Sequence, residues 1–186
     1  KPLPEYFDLQ VLWTRFFTDE SIQPPENIHH FQLLKIVFLE PFHKVNDLQH
    51  VLESIADCRC YILPFDELSY GILLVNSKEF TNFTPFIMLI EDDFKTSFTM
   101  MTTPLEQQSK LRESYQLLQS IPNEICHFNR KVVFELDEMI LMKMFTSVSN
   151  CERKQFFSII LRDSANEHLL LETVECYIQH ICNFSQ

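Results

Sequence analysis

A single glycine, Gly71, in a chain of 186 residues constrains this protein more than any other feature. Glycine lets the backbone take positive φ and approach a ligand closely, because no Cβ stands in the way. Phosphate-cradling loops need several such positions, followed by a helix whose amides point at the anion. One glycine therefore excludes the dinucleotide-binding fingerprint, the P-loop and the glycine-rich loop of protein kinases. The G-x-S-x-G nucleophile elbow falls with them. No serine, cysteine or threonine has a base at motif spacing either, so nucleophilic catalysis has no candidate. No catalytic or cofactor-binding residue is assigned, and no cofactor is expected.

The chain is nevertheless built to fold. Hydrophobic residues make up 46% and charged residues 22%, a globular mixture rather than a disordered one. Its eighteen Phe read mainly as core, with some left to face a partner. The formal net charge is −11, and the only adjacent basic pairs are Arg130-Lys131 and Arg153-Lys154. A nucleic-acid binder needs a basic stripe to collect phosphates. Direct nucleic-acid contact is thus not expected, and the expected partner is another protein subunit. The six cysteines are too sparse for a disulfide scaffold in a chain this long, and they read as reduced thiols. There is no signal peptide and no apolar run near 18 residues, so no membrane span is expected. Asn82-Phe83-Thr84 and Asn183-Phe184-Ser185 match the glycosylation sequon, and they read as chance matches. The expectation is an intracellular protein, nuclear or cytoplasmic. The opening on Lys1 without a methionine reads as a piece of a longer protein.

Periodicity lays out the elements. Leu48, Val51, Leu52 and Ile55 place a helix over about 47–56, with Asn46 as its cap. Thr103-Pro104-Leu105-Glu106 has the form of a capping box, predicting a helix with Leu111, Tyr115 and Leu118 on its buried stripe and Pro122 as its stop. Ser164-Ala165-Asn166-Glu167 has the same form and predicts a helix carrying Leu170, Val174, Tyr177, Ile178 and Ile181. Strands are expected over 33–39, 61–65, 72–75, 86–90, 94–100, 132–136, 140–145 and 156–161. The second and third would form a hairpin around Asp66-Glu67 and Gly71. Residues 7–17 fit a strand or a helix, and 18–27 a loop. The expected fold is α+β (α/β mixed): a mostly antiparallel or mixed sheet with about three helices packed on one side. A single domain over 1–186 is expected, with 103–123 as the place where a subdivision would fall.

Several clusters carry chemistry in principle. Glu91-Asp92-Asp93 and Asp66-Glu67 are placed at strand ends, where carboxylates hold Mg²⁺ in phosphoryl-transfer enzymes. Turns poor in glycine need the same residue types. Asp66, Glu91, Asp92 and Asp93 are accordingly the metal candidates, and no metal is assigned. Cys58-x-Cys60, with Cys126-His127, would supply zinc donors but lacks the paired spacings of zinc motifs, so buried thiols are expected. His29 and His30 are adjacent and read as a solvated pair.

Phe86 to Asp93 followed by Phe94 to Met100 resembles the strand after the catalytic helix of XPF-type nucleases. Glu152-Arg153-Lys154 matches that family's E-R-K triplet, with Asp137 upstream where the metal-binding aspartate would lie. The two similarities run in the reverse of the family's order, and the glycine before the aspartate is missing. The resemblance implies a degenerate, non-cutting relative in a DNA recombination or repair complex. Alongside it stands metal-dependent phosphoryl transfer by the strand-end carboxylates. The leading expectation is a non-catalytic protein–protein interaction domain of a multiprotein complex. Leu169, Leu171 and Tyr177 on the last helix border its binding patch.

Overall fold

In the computed structural model, residues 4–123, 132–149, 151, 152 and 155 are described. Among the described residues, five helices pack with a mixed sheet of six strands. Helix α1 (Pro4–Thr18) leads into β1 (His30–Phe38), α2 (Val45–Ala56), β2 (Arg59–Pro64) and β3 (Ser69–Val75). Then come α3 (Thr84–Leu89), a π-helical turn (Ile90–Phe94), β4 (Phe98–Thr102) and β5 (Glu106–Gln107). A 3-10 turn (Gln108–Lys110), α4 (Leu111–Ser120), β6 (Val133–Glu135) and α5 (Leu136–Ser147) follow in the described residues.

The sheet runs β2-β3-β1-β4-β6, with β5 pairing the start of β1. All pairs are antiparallel except β4–β6, where Met100, Met101 and Thr102 register with Val133, Phe134 and Glu135. Central β1 is buried from Phe31 to Phe38, as its apolar run predicts. Successive side chains point to opposite faces, so the run splits between two cores. Phe31, Leu33 and Val37 join Trp13, Phe16 and Phe17 of α1, Tyr115 of α4 and Met139 of α5. Leu34, Ile36 and Phe38 join Leu48 and Leu52 of α2 and Phe86 of α3. Helices therefore cover both faces, not one.

The hairpin β2–β3 and the α2 and α4 stripes stand as read from sequence. Other expectations are corrected. Residues 86–90 lie in α3 and the π turn, not in a strand. Pro85 opens that helix, and burial of Phe86 and Ile90, four apart, is helical. With it goes the strand implied by the nuclease resemblance. Residues 140–145 belong to α5, whose start is fixed by a reciprocal box: Glu135 accepts the Glu138 amide while Glu138 accepts the Glu135 amide. Residues 7–17 are helical.

Thr103 does not cap α4. Its hydroxyl accepts the Leu33 N–H (3.0 Å) and donates to the Pro104 carbonyl (2.9 Å), so the sheet consumes it, and Glu106-Gln107 pair with β1. α2 begins one residue before Asn46, which lies in its first turn. Gly71 is not in the turn but inside β3, where a Cβ would sit 2.7 Å from the Phe65 ring. The strand expected at 156–161 and the helix expected from Ser164 lie outside the described residues.

Candidate functional site

The parallel pair β4–β6 ends at a cleft of about 490 Å³. The crevice beyond the carboxyl ends of parallel strands is the usual place for ligands in α/β sheets, and pockets there span roughly 300–1,000 Å³. Its floor is built by Gln32 of β1, which is buried. The two N–H groups of Gln32 Nε2 are shared among the carbonyls of Phe80 (3.1 Å) and Thr103 (3.1 Å) and Thr102 Oγ1 (2.9 Å). The Gln32 Oε1 accepts the Phe80 N–H (2.8 Å). One side chain thus ties the 76–83 loop to the ends of β1 and β4, and a buried amide with its partners met is a rigid part. The loop brings the rings of Phe80 and Phe83 to the cleft, edge to face with centroids 4.8 Å apart.

Among the described residues, charge in the cleft has one sign. Glu79 from the loop, Glu135 from β6 and Asp137 from the first turn of α5 line it, and no described lining residue is basic. The Glu138 amide holds the Glu135 carboxylate in place.

One face of α5 starts at Asp137 on the cleft rim. Asp137, Leu141 and Met144 are spaced i, i+4, i+7, which aligns them on one helix face. All three are exposed; Leu141 retains 54% and Met144 59% of its accessible surface. Leu136 and Met139 of the same helix are buried, so apolar side chains occupy its inner and outer sides. Such a helix normally has neighbours on both sides.

Part of the β2 edge of the sheet is covered against strand addition. Several of its outward backbone groups are occupied by helix side chains: the Cys60 carbonyl accepts Gln49 Nε2 (3.0 Å), and the Cys60 N–H donates to Glu53 (3.3 Å). The Ile62 carbonyl accepts Gln10 Nε2, and Pro64 has no N–H to offer.

The metal candidates from the sequence lie in two separate turns. Asp66 is consumed by the β2–β3 turn. Its Oδ1 accepts the Leu68 and Ser69 N–H groups (2.8 and 2.9 Å), and its Oδ2 accepts the Ser69 hydroxyl (2.7 Å) and Asn123 Nδ2 (2.9 Å). Partial burial pushes the Asp66 carboxyl up, but these hydrogen bonds outweigh it and leave its pKa lowered. Glu91, Asp92 and Asp93 lie in the π turn, between Ile90 and Phe94, which pack with the α2–α3 core. Phe65, the neighbour of Asp66, packs into the opposite core. Among the described residues, no group of three or more His, Cys, Asp or Glu is arranged to hold a metal.

Cys58 and Cys60 both pack on the α2 side and are free thiols, and burial pushes the pKa of each up. Cys126 and His127 lie outside the described residues, as do Arg153, Lys154, Leu169, Leu171 and Tyr177. Of the E-R-K triplet only Glu152 is described, and it accepts hydrogen bonds from the Ser149 hydroxyl and amide. Asp137, the other residue of that resemblance, stands on the cleft rim.

Sequence reasoning missed Gln32 and Lys35, although two polar residues inside an apolar strand are themselves a signal. Lys35 is 1% exposed; its Nζ donates to the Ile121 carbonyl (2.6 Å) and lies 5.5 Å from the Phe65 ring centre, clamping the end of α4. No family model, curated protein or solved structure matches this chain.

Proposed function

We propose that this chain is a non-catalytic protein–protein interaction domain of an intracellular multiprotein complex, and that the outer face of α5 is where it meets its partner. The observation that carries this reading is the exposure of Leu141 and Met144, aligned on one face beside a built cleft. Single exposed apolar side chains are ordinary, but aligned ones next to a concavity are how partner surfaces look. The partly covered β2 edge favours a helix face over strand addition at that edge. The free thiols Cys58, Cys60 and Cys151 support the intracellular setting. Leu169, Leu171 and Tyr177, expected at the patch border, lie outside the described residues, and the reading does not depend on them.

The test is a paired affinity purification of the wild-type chain and Leu141→Asp from cells. The variant replaces an exposed side chain and should keep the wild-type melting temperature. Defined proteins recovered with the wild type and lost with Leu141→Asp support the reading. Identical recovery with both would remove α5 as the docking face.

A further inference from the structure

We infer that the cleft beside α5 receives a lysine or arginine side chain of the partner, whose apolar neighbours lie on Leu141 and Met144. This rests on the reading of α5 as a docking face and adds the chemistry of what docks.

Charge complementarity carries the argument. Glu79, Glu135 and Asp137 come from three different elements and give the described part of the cleft wall one sign. An anion would meet three carboxylates, and a purely apolar group would desolvate them without return. A bare metal ion needs oxygens gathered within about 2.0–2.6 Å of one point. Among the described residues no such gathering of three exists, so the negative charge is spread along the wall. A long stem ending in a cation fits that spread. Its methylenes pack on the rings of Phe80 and Phe83, and its head reaches the carboxylates. The floor is stiff, because Gln32 holds both the loop and the strand ends, so little order is lost on binding. Asp137 links the two halves of the surface: it lines the cleft and begins the Asp137, Leu141, Met144 stripe.

The experiment is a two-dimensional NMR titration of the full chain with Nα-acetyl-arginine amide, Nα-acetyl-lysine amide, the neutral citrulline counterpart and spermidine. The arginine or lysine probe should shift the amides of Thr81, Thr103 and Asp137 saturably, with a dissociation constant on the order of 1 mM. Citrulline should leave them unmoved. Glu79→Gln with Asp137→Asn should weaken binding by about tenfold or more. Glu91→Gln with Asp92→Asn, which removes as much charge elsewhere, should not. Where the double variant melts early, Glu79→Gln alone is read instead, with a loss of at least about threefold expected.

No saturable shift, equal weakening by the control pair, or binding of spermidine alone would each overturn the assignment. The arginine titration is read on the wild-type chain and partner capture on Leu141→Asp, so the two readings fail separately. Partner loss in that variant without any titration sinks the cleft assignment alone; titration without partner loss sinks the reading of α5.

Discussion

Arg112 should be among the costliest polar residues to remove from this fold. It sits at the start of α4 and reaches the carboxyl end of α1. Its Nε donates to the Phe16 carbonyl (3.0 Å), Nη1 to Glu20 (3.0 Å), and Nη2 to Asp19 (3.0 Å) and Ile22 (2.6 Å). Its guanidinium lies 4.1 Å from the Phe16 ring centre. Helix ends leave carbonyls without partners and carry partial negative charge, so a cationic fork answers both needs. In Arg112→Ala the contacts at Asp19 and Glu20 are exposed, and water replaces them. Those at Phe16 and Ile22 are part-buried, and each should cost about 1 kcal/mol when stranded. Lost charge–dipole attraction adds about 0.5 kcal/mol and the lost ring contact about 0.5–1 kcal/mol. The sum is about 3 kcal/mol, a fall in melting temperature of roughly 6–12 °C for a chain of this size. Arg112→Lys keeps the charge but not the fork, and should lose about 2 kcal/mol. Urea denaturation of the three proteins reads these differences directly. A loss below about 0.5 kcal/mol for Arg112→Ala would refute the reasoning, since it would mean water serves those carbonyls equally well.

Gly71→Ala forces a Cβ against the Phe65 ring tip, which also packs on Tyr115, and should destabilise by about 1–3 kcal/mol in the same assay; Gly71→Ala with Phe65→Leu should recover part of it. Asp66 has a lowered folded-state pKa, so below about pH 4 the unfolded chain binds its proton first and stability falls as pH falls; Asp66→Asn should flatten that acid limb while leaving the neutral-pH slope unchanged, and an unaltered limb would count against the turn's role. Of the three described cysteines in native protein, a thiol reagent should modify exposed Cys151 fastest, Cys58 more slowly and buried Cys60 only after unfolding, and early labelling of Cys60 would contradict its burial.

What was legible in the sequence was what one periodicity specifies. Leu48 and Leu52, or Leu111, Tyr115 and Leu118, recur at helical spacing with polar residues between them, and both helices stand where the pattern puts them. β1 and the β2–β3 hairpin are short apolar runs between turn residues, and they are strands. The failures share a cause. Residues 86–90 and 140–145 are apolar at nearly every position, so neither period shows, and a buried strand and a two-sided helix look alike. Thr103-Pro104-Leu105-Glu106 carries the right letters for a cap, but the Thr103 hydroxyl serves Leu33, seventy residues away, where tertiary contacts override the local motif. The cleft was illegible for a related reason. Gln32, Phe80, Thr103 and Asp137 are far apart in the chain, and only the order of β1, β4 and β6 brings them together.

The central claim is that the outer face of α5 meets a protein partner, and site-directed photo-crosslinking tests it most directly. A benzophenone amino acid placed singly at Leu141, Met144 or Met88, all of them exposed, samples α5 and the α3 side of the sheet in cells without disturbing the core. The account predicts a discrete, shared adduct from positions 141 and 144 and none from position 88. Adducts from position 88 alone, or none from either α5 position, would contradict it.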